Sequence, residues 1–287
     1  MEQKPEYSFN FDDPDSGAAR SGADASVNAL TQKVLSATKA APVIDAFPDS
    51  FITLPAGLLL DGIVYQEAEV RELTGEDEEK IAKAKTTNNA AKFVSTLLNC
   101  GVVSIGGHSV NQRILDTLIQ GDLDMLLLGI RKATFGDDFE VFNVACPECG
   151  GRSDLTLNLN DIPITILEDP EERSFTLKLR KGRSVTVQFP YGAIQNEIFK
   201  NQLTIPEMNN ITLSHCVLTI IEADGTERPC NGISDVKKFG LADRKIIQDY
   251  LYDNQPGPRY DQVVATCPTC EGEVPVPLNV GILFREL

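Results

Sequence analysis

The chain has 287 residues and an ordinary apolar content of 42%, but 42 Asp and Glu residues against 26 Lys and Arg residues give a net charge of −16. Nucleic-acid binding depends largely on clustered Lys and Arg that neutralise phosphates, so this balance argues against DNA or RNA as the main ligand. No stretch reaches the roughly 18 apolar residues of a membrane-spanning helix, and the start lacks the pattern of a signal peptide. We therefore expect a chain that folds in a cytosol, where cysteines stay reduced or bind metal.

Residues 1–47 differ in composition from the rest of the chain, being polar, small and acidic. Between Ala25 and Ala40, Val27, Leu30 and Val34 recur at helical spacing, which predicts one short amphipathic helix. Two interpretations of this N-terminal acidic arm stay open. It is either a disordered tail or an arm that becomes ordered against a partner protein.

From Phe51 onwards the sequence has the pattern of a globular protein. Alternating residues predict a strand from Tyr65 to Leu73, and Thr74 and Asp77 predict a capping box that starts the next helix. Further helices are expected at 88–99, 110–119 and 123–132, with a short strand at 101–105. A strand at 139–144 then leads into a Cys-x-x-Cys motif, and 154–159 forms the return strand.

Two Cys-x-x-Cys motifs, Cys146/Cys149 and Cys267/Cys270, carry the strongest chemical signal. Each motif turns so that both sulfur atoms face one point, and four thiolates complete the tetrahedral shell of a structural zinc ion. The alternatives are four unrelated cysteines or two disulfides. Since four thiolates leave no open coordination position, such a zinc ion would hold structure and perform no chemistry.

The motifs also belong to a longer internal match. A shift of 121 positions places Gly136 on Gly257, Cys149 on Cys270 and Asn158 on Asn279 without a gap. This register predicts a duplicated α+β chain with two pseudo-symmetric repeats, 48–162 and 163–287, behind the arm. Because each repeat supplies only two cysteines, we expect one zinc ion shared by both, in a zinc-ribbon-like site.

The remaining candidates favour structural roles. Cys100 and Cys216 are expected to be buried, and Cys230 is a weaker candidate for a further ligand. Neither histidine lies near an acid–nucleophile constellation, and no phosphate-binding loop is present, so the sequence predicts no catalytic residue. The basic run from Lys178 to Arg183 predicts a hairpin turn, and a nucleic-acid patch is its alternative.

Several segments resemble the family of T-even-type (T4-like) phage baseplate proteins. These are Leu54–Gly57, Glu69–Glu78, Asp122, Arg131–Asp137 and Cys146–Gly150, with Cys267 and Cys270 as the second knuckle. The resemblance implies a non-enzymatic structural or assembly component of a contractile tail baseplate, either a hub subunit or a hub assembly factor. It also implies other tail proteins as partners and a place in the virion after synthesis in the host cytoplasm. The alternative is a zinc-ribbon nucleic-acid-binding or transcription-related module.

Overall fold

The computed structural model describes residues 50–87, 89–199 and 203–287 of the chain. Residues Asp49 to Leu287 form one compact unit. The predicted arm, including its helix between Ala25 and Ala40, lies outside the described residues. The compact unit mixes helices with antiparallel strands, which confirms the predicted combination of helix and sheet.

The first half of the compact unit, up to residue 162, contains three antiparallel hairpins and a group of helices. Its elements are β1 (Ser50–Leu60), β2 (Ile63–Val70), α1 (Gly75–Lys85), α2 (Ala90–Gly101), β3 (Val102–Ile105), β4 (His108–Ser109), α3 (Gln112–Thr117), α4 (Gln120–Phe135), β5 (Asp138–Ala145) and β6 (Arg152–Asn158). Strands β1 and β4 have no counterpart among the sequence predictions. The other elements follow the predicted order, with ends that differ by a few residues.

The second half, from residue 163, runs through a similar series. Its elements are β7 (Ile164–Thr165), β8 (Ser174–Lys178), β9 (Ser184–Gln188), α5 (Ala193–Ile198), α6 (Ile205–Cys216), β10 (Val217–Ile221), β11 (Glu227–Pro229), α7 (Ile233–Val236), α8 (Leu241–Asn254), β12 (Gly257–Pro258), β13 (Val264–Thr266), β14 (Glu273–Pro275) and α9 (Val280–Leu283). Strands β7 and β12 pair with each other.

Each half contains a four-stranded antiparallel sheet with strands in chain order, β1-β2-β3-β4 in one and β8-β9-β10-β11 in the other. Both sheets begin with a hairpin that turns on two residues of positive φ, Asp61-Gly62 and Lys181-Gly182. This backbone suits the right-handed twist of paired strands. The basic run from Lys178 to Arg183 therefore surrounds a hairpin turn, as predicted.

Local sequence explains where several elements begin. Thr74 and Asp77 form the predicted capping box at the start of α1, and Arg71 donates a hydrogen bond of 2.8 Å to the same buried carboxylate. Burial opposes ionisation of Asp77, but the bonds from Arg71 and Thr74 outweigh it and lower its pKa. The side chains of Asn89 and Asn111 cap α2 and α3.

The apolar side chains form two clusters that do not follow the division into halves. One cluster joins the first sheet and α4 to the last 25 residues, so that Phe139 and Leu157 share it with Val274 and Phe284. The other cluster is built on the second sheet and on α8, and it also includes Ala56 and Ile119. Each half thus contributes buried residues to the core of the other.

The backbones of the two halves also approach closely where α4 begins. A Cβ atom added to Gly121 would lie 1.5 Å from the carbonyl oxygen of Pro256, and one added to Gly257 would lie 2.6 Å from the Cα of Gly121. Gly257 has a φ of +138°, which L side chains rarely adopt. Glycine at both positions therefore permits a direct crossing of backbone on backbone.

Candidate metal centre

The first cysteine knuckle lies between β5 and β6. The backbone N–H of Cys146 donates to the carbonyl of Gly151 at 2.8 Å, and the N–H of Gly150 donates to the carbonyl of Cys146 at 3.0 Å. Gly150 has a φ of +70°, which closes this turn. The short loop returns the chain directly into β6, so both sulfur atoms stay at one end of the hairpin.

The second knuckle lies between β13 and β14 and has the same hydrogen bonds. The N–H of Cys267 donates to the carbonyl of Gly272 at 2.9 Å, and the N–H of Glu271 donates to the carbonyl of Cys267 at 2.9 Å. Glu271 has a positive φ of 60°, at the position 121 residues after Gly150. The two loops therefore share both sequence register and backbone geometry.

The structure brings the four predicted ligands together. All four Sγ atoms lie within 4.8 Å of one another, with Cys146 and Cys270 at 3.6 Å and Cys149 and Cys267 at 3.9 Å. A zinc ion with Zn–S bonds of about 2.3 Å requires S–S distances of about 3.8 Å. A disulfide would require about 2.05 Å, so the geometry fits metal coordination and excludes bonded pairs.

The surroundings of the sulfur atoms act in opposite directions on two of the thiols. The backbone N–H of Gly272 favours the thiolate of Cys270, but the neighbouring thiols of Cys146 and Cys267 outweigh it and raise the pKa of Cys270 to about 12. The backbone N–H groups of Cys270 and Thr269 donate to the Sγ of Cys267, and these bonds lower the pKa of this thiol to about 6. A metal ligand must be deprotonated, so such bonds pre-arrange the donor. Cys146 and Cys267 are buried, whereas Cys149 and Cys270 are exposed.

The two knuckles touch each other through more than the sulfur atoms. The carboxylate of Glu148 in the first knuckle occupies the space beside Gly272 of the second knuckle that a Cβ atom would fill. The hairpins also rest on common apolar residues, since Leu157 of β6 and Val274 of β14 belong to one core cluster. An ion held here would join segments more than 100 residues apart in the chain.

The other three cysteines lie away from this centre. Cys216 is fully buried, and burial raises the pKa of its thiol to about 12. Cys100 is also buried, as predicted, and Cys230 is partly buried beside the carbonyl of Gly232. Among the described residues, the four knuckle cysteines are the one group of three or more metal-ligating side chains that converge.

A second constellation, which the sequence analysis did not find, surrounds a bulge in β1. Four residues of β1, Leu54 to Gly57, lie opposite a single residue of β2, so the strand pairing is interrupted across this buried segment. The N–H groups of Ala56 and Gly57 donate to Oδ1 of Asp122 at 2.8 and 3.2 Å. Arg173 donates to the carbonyls of the same two residues at 3.0 and 3.1 Å.

The bulge is therefore held from both sides by charged groups. Asp122 is fully buried, and this burial raises the pKa of its carboxyl to about 6, although the two N–H groups act in the opposite direction. Asp122 belongs to the sequence resemblance to the family, but that resemblance predicted no structural role for its carboxylate. Arg173 lies 117 residues after Ala56, so no local pattern could have indicated its role.

The two histidines occupy separate surface positions. The ring of His108 packs edge-on against Tyr65 at 4.8 Å, and Nε2 of His215 lies 3.2 Å from the carboxylate of Glu197. Within the described residues, none of the helices combines the length and the apolar character needed to cross a membrane.

Comparison with known proteins gives one match. A search of curated proteins and a search of solved structures each returned no match. A family model described as T4 bacteriophage base plate protein matches residues 61–243, which is more than half of the chain. The match begins after the β1 bulge, includes the first knuckle and ends before the second. The chain therefore belongs to the family of T4 bacteriophage base plate proteins, as the sequence resemblance predicted.

Proposed function

We propose that the protein is a non-enzymatic structural or assembly component of a contractile phage tail baseplate, as a hub subunit or as a factor that assembles the hub. The observation that carries this proposal is the family match over residues 61–243. Other tail proteins are the expected partners, and the tail baseplate of the virion is the expected location. The arm over residues 1–47 is proposed as one contact with those partners.

We further propose that Cys146, Cys149, Cys267 and Cys270 hold one structural zinc ion per chain. Four sulfur atoms within 4.8 Å, backbone donors to the Sγ of Cys267 and matching turns in both knuckles support this assignment. The ion would stabilise the fold and leave no open position for a substrate. Its binding free energy would contribute directly to folding, because the site does not exist in the unfolded chain.

The duplication is part of the same proposal, with repeats at 48–162 and 163–287. It is supported by the equal strand order of the two sheets, by hairpin turns 120 residues apart and by knuckle hydrogen bonds 121 residues apart. Further support comes from Asp122 and Asp243, two buried carboxylates 121 residues apart. Each lies in the first turn of a helix and accepts backbone N–H bonds from the first hairpin of its own half.

The alternative function, nucleic-acid binding, would depend on the basic run at the β8–β9 turn. Arg183 of this run forms a salt bridge with the buried Asp243, so part of the positive charge is neutralised within the fold. The remaining side chains would have to attract phosphates on a chain with a net charge of −16. The structure therefore offers less support for this alternative than for the baseplate role.

The test is quantitative mass spectrometry of purified phage particles, together with affinity purification of the protein from infected cells. Its presence in particles with tail proteins as partners would identify a baseplate subunit. Absence from particles with tail partners in the lysate would identify an assembly factor. If neither particles nor tail partners contained the protein, the proposed function would be wrong.

A further inference from the structure

A cleft in the second half has acidic walls and an aromatic floor. It has a volume of about 360 Å³, within the range of about 300–1,000 Å³ that is common for binding clefts. The floor consists of Phe175, Phe189 and Tyr250, whose rings pack with centroid distances of 5.2 Å between Phe175 and Phe189 and 5.9 Å between Phe175 and Tyr250. Aromatic faces carry partial negative charge, which attracts cations.

Four carboxylates line the same cleft, and no basic side chain lines it. They belong to Glu168, Asp169, Glu172 and Asp253. Asp169 accepts a hydrogen bond from the backbone N–H of Glu171 at 3.0 Å. None of the four takes part in a salt bridge among the described residues. The cleft therefore presents negative charge above an apolar floor.

The cleft is attached to a rigid part of the fold. Its wall runs from Thr165 to Glu172, and this segment is fixed where the N–H of Leu167 donates to the carbonyl of Pro55 at 3.0 Å. Arg173, which follows the wall, is held by the carbonyls of the β1 bulge. Because the wall is bound to the backbone of β1 at Leu167 and again directly after Glu172, we expect the cleft to be formed before any ligand arrives.

The arrangement of the carboxylates selects the kind of cation. The cleft carboxylates do not converge closely enough to ligate a metal ion. Within the described part of the chain, only the four knuckle cysteines do so. Dispersed carboxylates around tilted, packed aromatic rings instead suit an extended organic cation. Burial and the nearby Glu172 raise the pKa of Tyr250, so its hydroxyl stays protonated and can also donate.

We propose that this cleft docks a basic segment of a partner tail protein and receives a Lys or Arg side chain between the carboxylates and the rings. The chemical class of the occupant follows from the charge and the aromatic floor. Its identity as a tail protein rests on the proposed function. Exposed Ile166 beside the cleft, with 63% of its surface accessible, provides an apolar contact for the rest of the segment.

The first test uses n-butylguanidinium as a probe and its neutral analogue n-butylurea as a matched control, with binding followed by NMR. We expect the cation to bind at least about fivefold more tightly. The double variant Glu172→Gln with Asp253→Asn should weaken probe binding about fivefold, since two charges of the rim are lost. A control variant, Glu227→Gln with Asp249→Asn, removes the same charge from exposed positions outside the cleft and should not change probe binding.

The second test captures tail proteins on the tagged full-length protein in infected cells. We expect the cleft variant to lose a partner that the wild type and the control variant retain. If the wild type captures tail proteins and the cleft variant captures the same set in equal amounts, the docking proposal is overturned and the baseplate function stands. If the wild type captures no tail protein, the proposed function fails, while the probe experiment still decides the cation preference. Equal binding of both probes, or equal effects of both variants on the probe, would reject that preference.

Discussion

The two halves of the compact unit use the same order of strands, yet they fasten their first hairpins differently. In the first half, the buried Asp122 accepts bonds from two backbone N–H groups of an 11-residue strand with a bulge. In the second half, Asp243 accepts one N–H bond, from Arg180, and pairs with the guanidinium of Arg183. Equivalent positions in one topology can thus carry a carboxylate with different partners, and its electrostatic role changes accordingly.

The four cysteines of the candidate metal centre join the two halves, so loss of the proposed ion should have the largest effect. We expect Cys267→Ser, or chelation of the proposed ion, to lower the free energy of unfolding by about 3 kcal/mol or more. The measurements are metal content per chain and urea denaturation, with Cys230→Ser as a control outside the centre. In limited proteolysis of Cys267→Ser, we expect cleavage in both hairpins that carry the cysteine knuckles. Cleavage confined to residues after about 163 would rule out a shared site.

The crossing at Gly121 provides a second way to separate the halves. Gly121→Ala would place a methyl group against the carbonyl of Pro256. We expect this change to lower the free energy of unfolding by about 3 kcal/mol or more. Gly75→Ala is the matched control, because a Cβ atom there meets nothing within 4 Å. Thermal denaturation measures both variants. Equal melting temperatures for the two would contradict the close crossing.

The two carboxylates can be compared directly by mutation. Asp122→Ala leaves two buried N–H groups without an acceptor and should cost about 2–4 kcal/mol. Asp243→Ala should cost less, about 1–2 kcal/mol, because Arg180 and Arg183 can reach water. Urea denaturation of both variants measures the difference. A larger loss at Asp243 would reverse our interpretation of which hairpin depends more on its carboxylate.

The raised pKa of Asp122 makes a further prediction about pH. Its folded value of about 6 exceeds the ordinary value of 3.8, so the native state binds more protons between these values. This group therefore favours folding most below about pH 4, and its contribution falls as the pH rises to about 6. The wild type should lose stability relative to Asp122→Asn across this window. If the stability of the wild type relative to Asp122→Asn instead stays constant or increases as the pH rises, burial of the carboxyl does not control its ionisation.

The smallest effect is expected at the helix caps. Asp77 is buried and bonded to Thr74 and Arg71, so Asp77→Ala should cost about 1–2 kcal/mol. Glu207 forms a similar capping box with Thr204 at the start of α6, but this box is exposed and its loss should matter less. The comparison requires only chemical denaturation of the two alanine variants. The prediction is wrong if Glu207→Ala lowers the free energy of unfolding more than Asp77→Ala does.

Sequence patterns of short range were sufficient for much of the fold. The capping box at Thr74, the strands that flank the first knuckle and the central helices were all predicted near their observed positions. Strand β1 was not predicted, because its buried run Leu54–Leu58 contains a proline and a glycine that break the alternation of a regular strand. Its conformation depends on Asp122, Arg173 and Leu167, which approach from distant parts of the chain.

The sequence by itself determined the family, the four candidate metal ligands and the register that relates the two knuckles. These properties depend on residue type and spacing, which the chain carries wherever it folds. Only the tertiary structure decided that the sulfur atoms converge within 4.8 Å, that Arg173 closes the β1 bulge and that four carboxylates surround one aromatic floor. Such arrangements arise from packing between segments about 80 to more than 100 residues apart, and spacing along the chain contains no measure of that proximity.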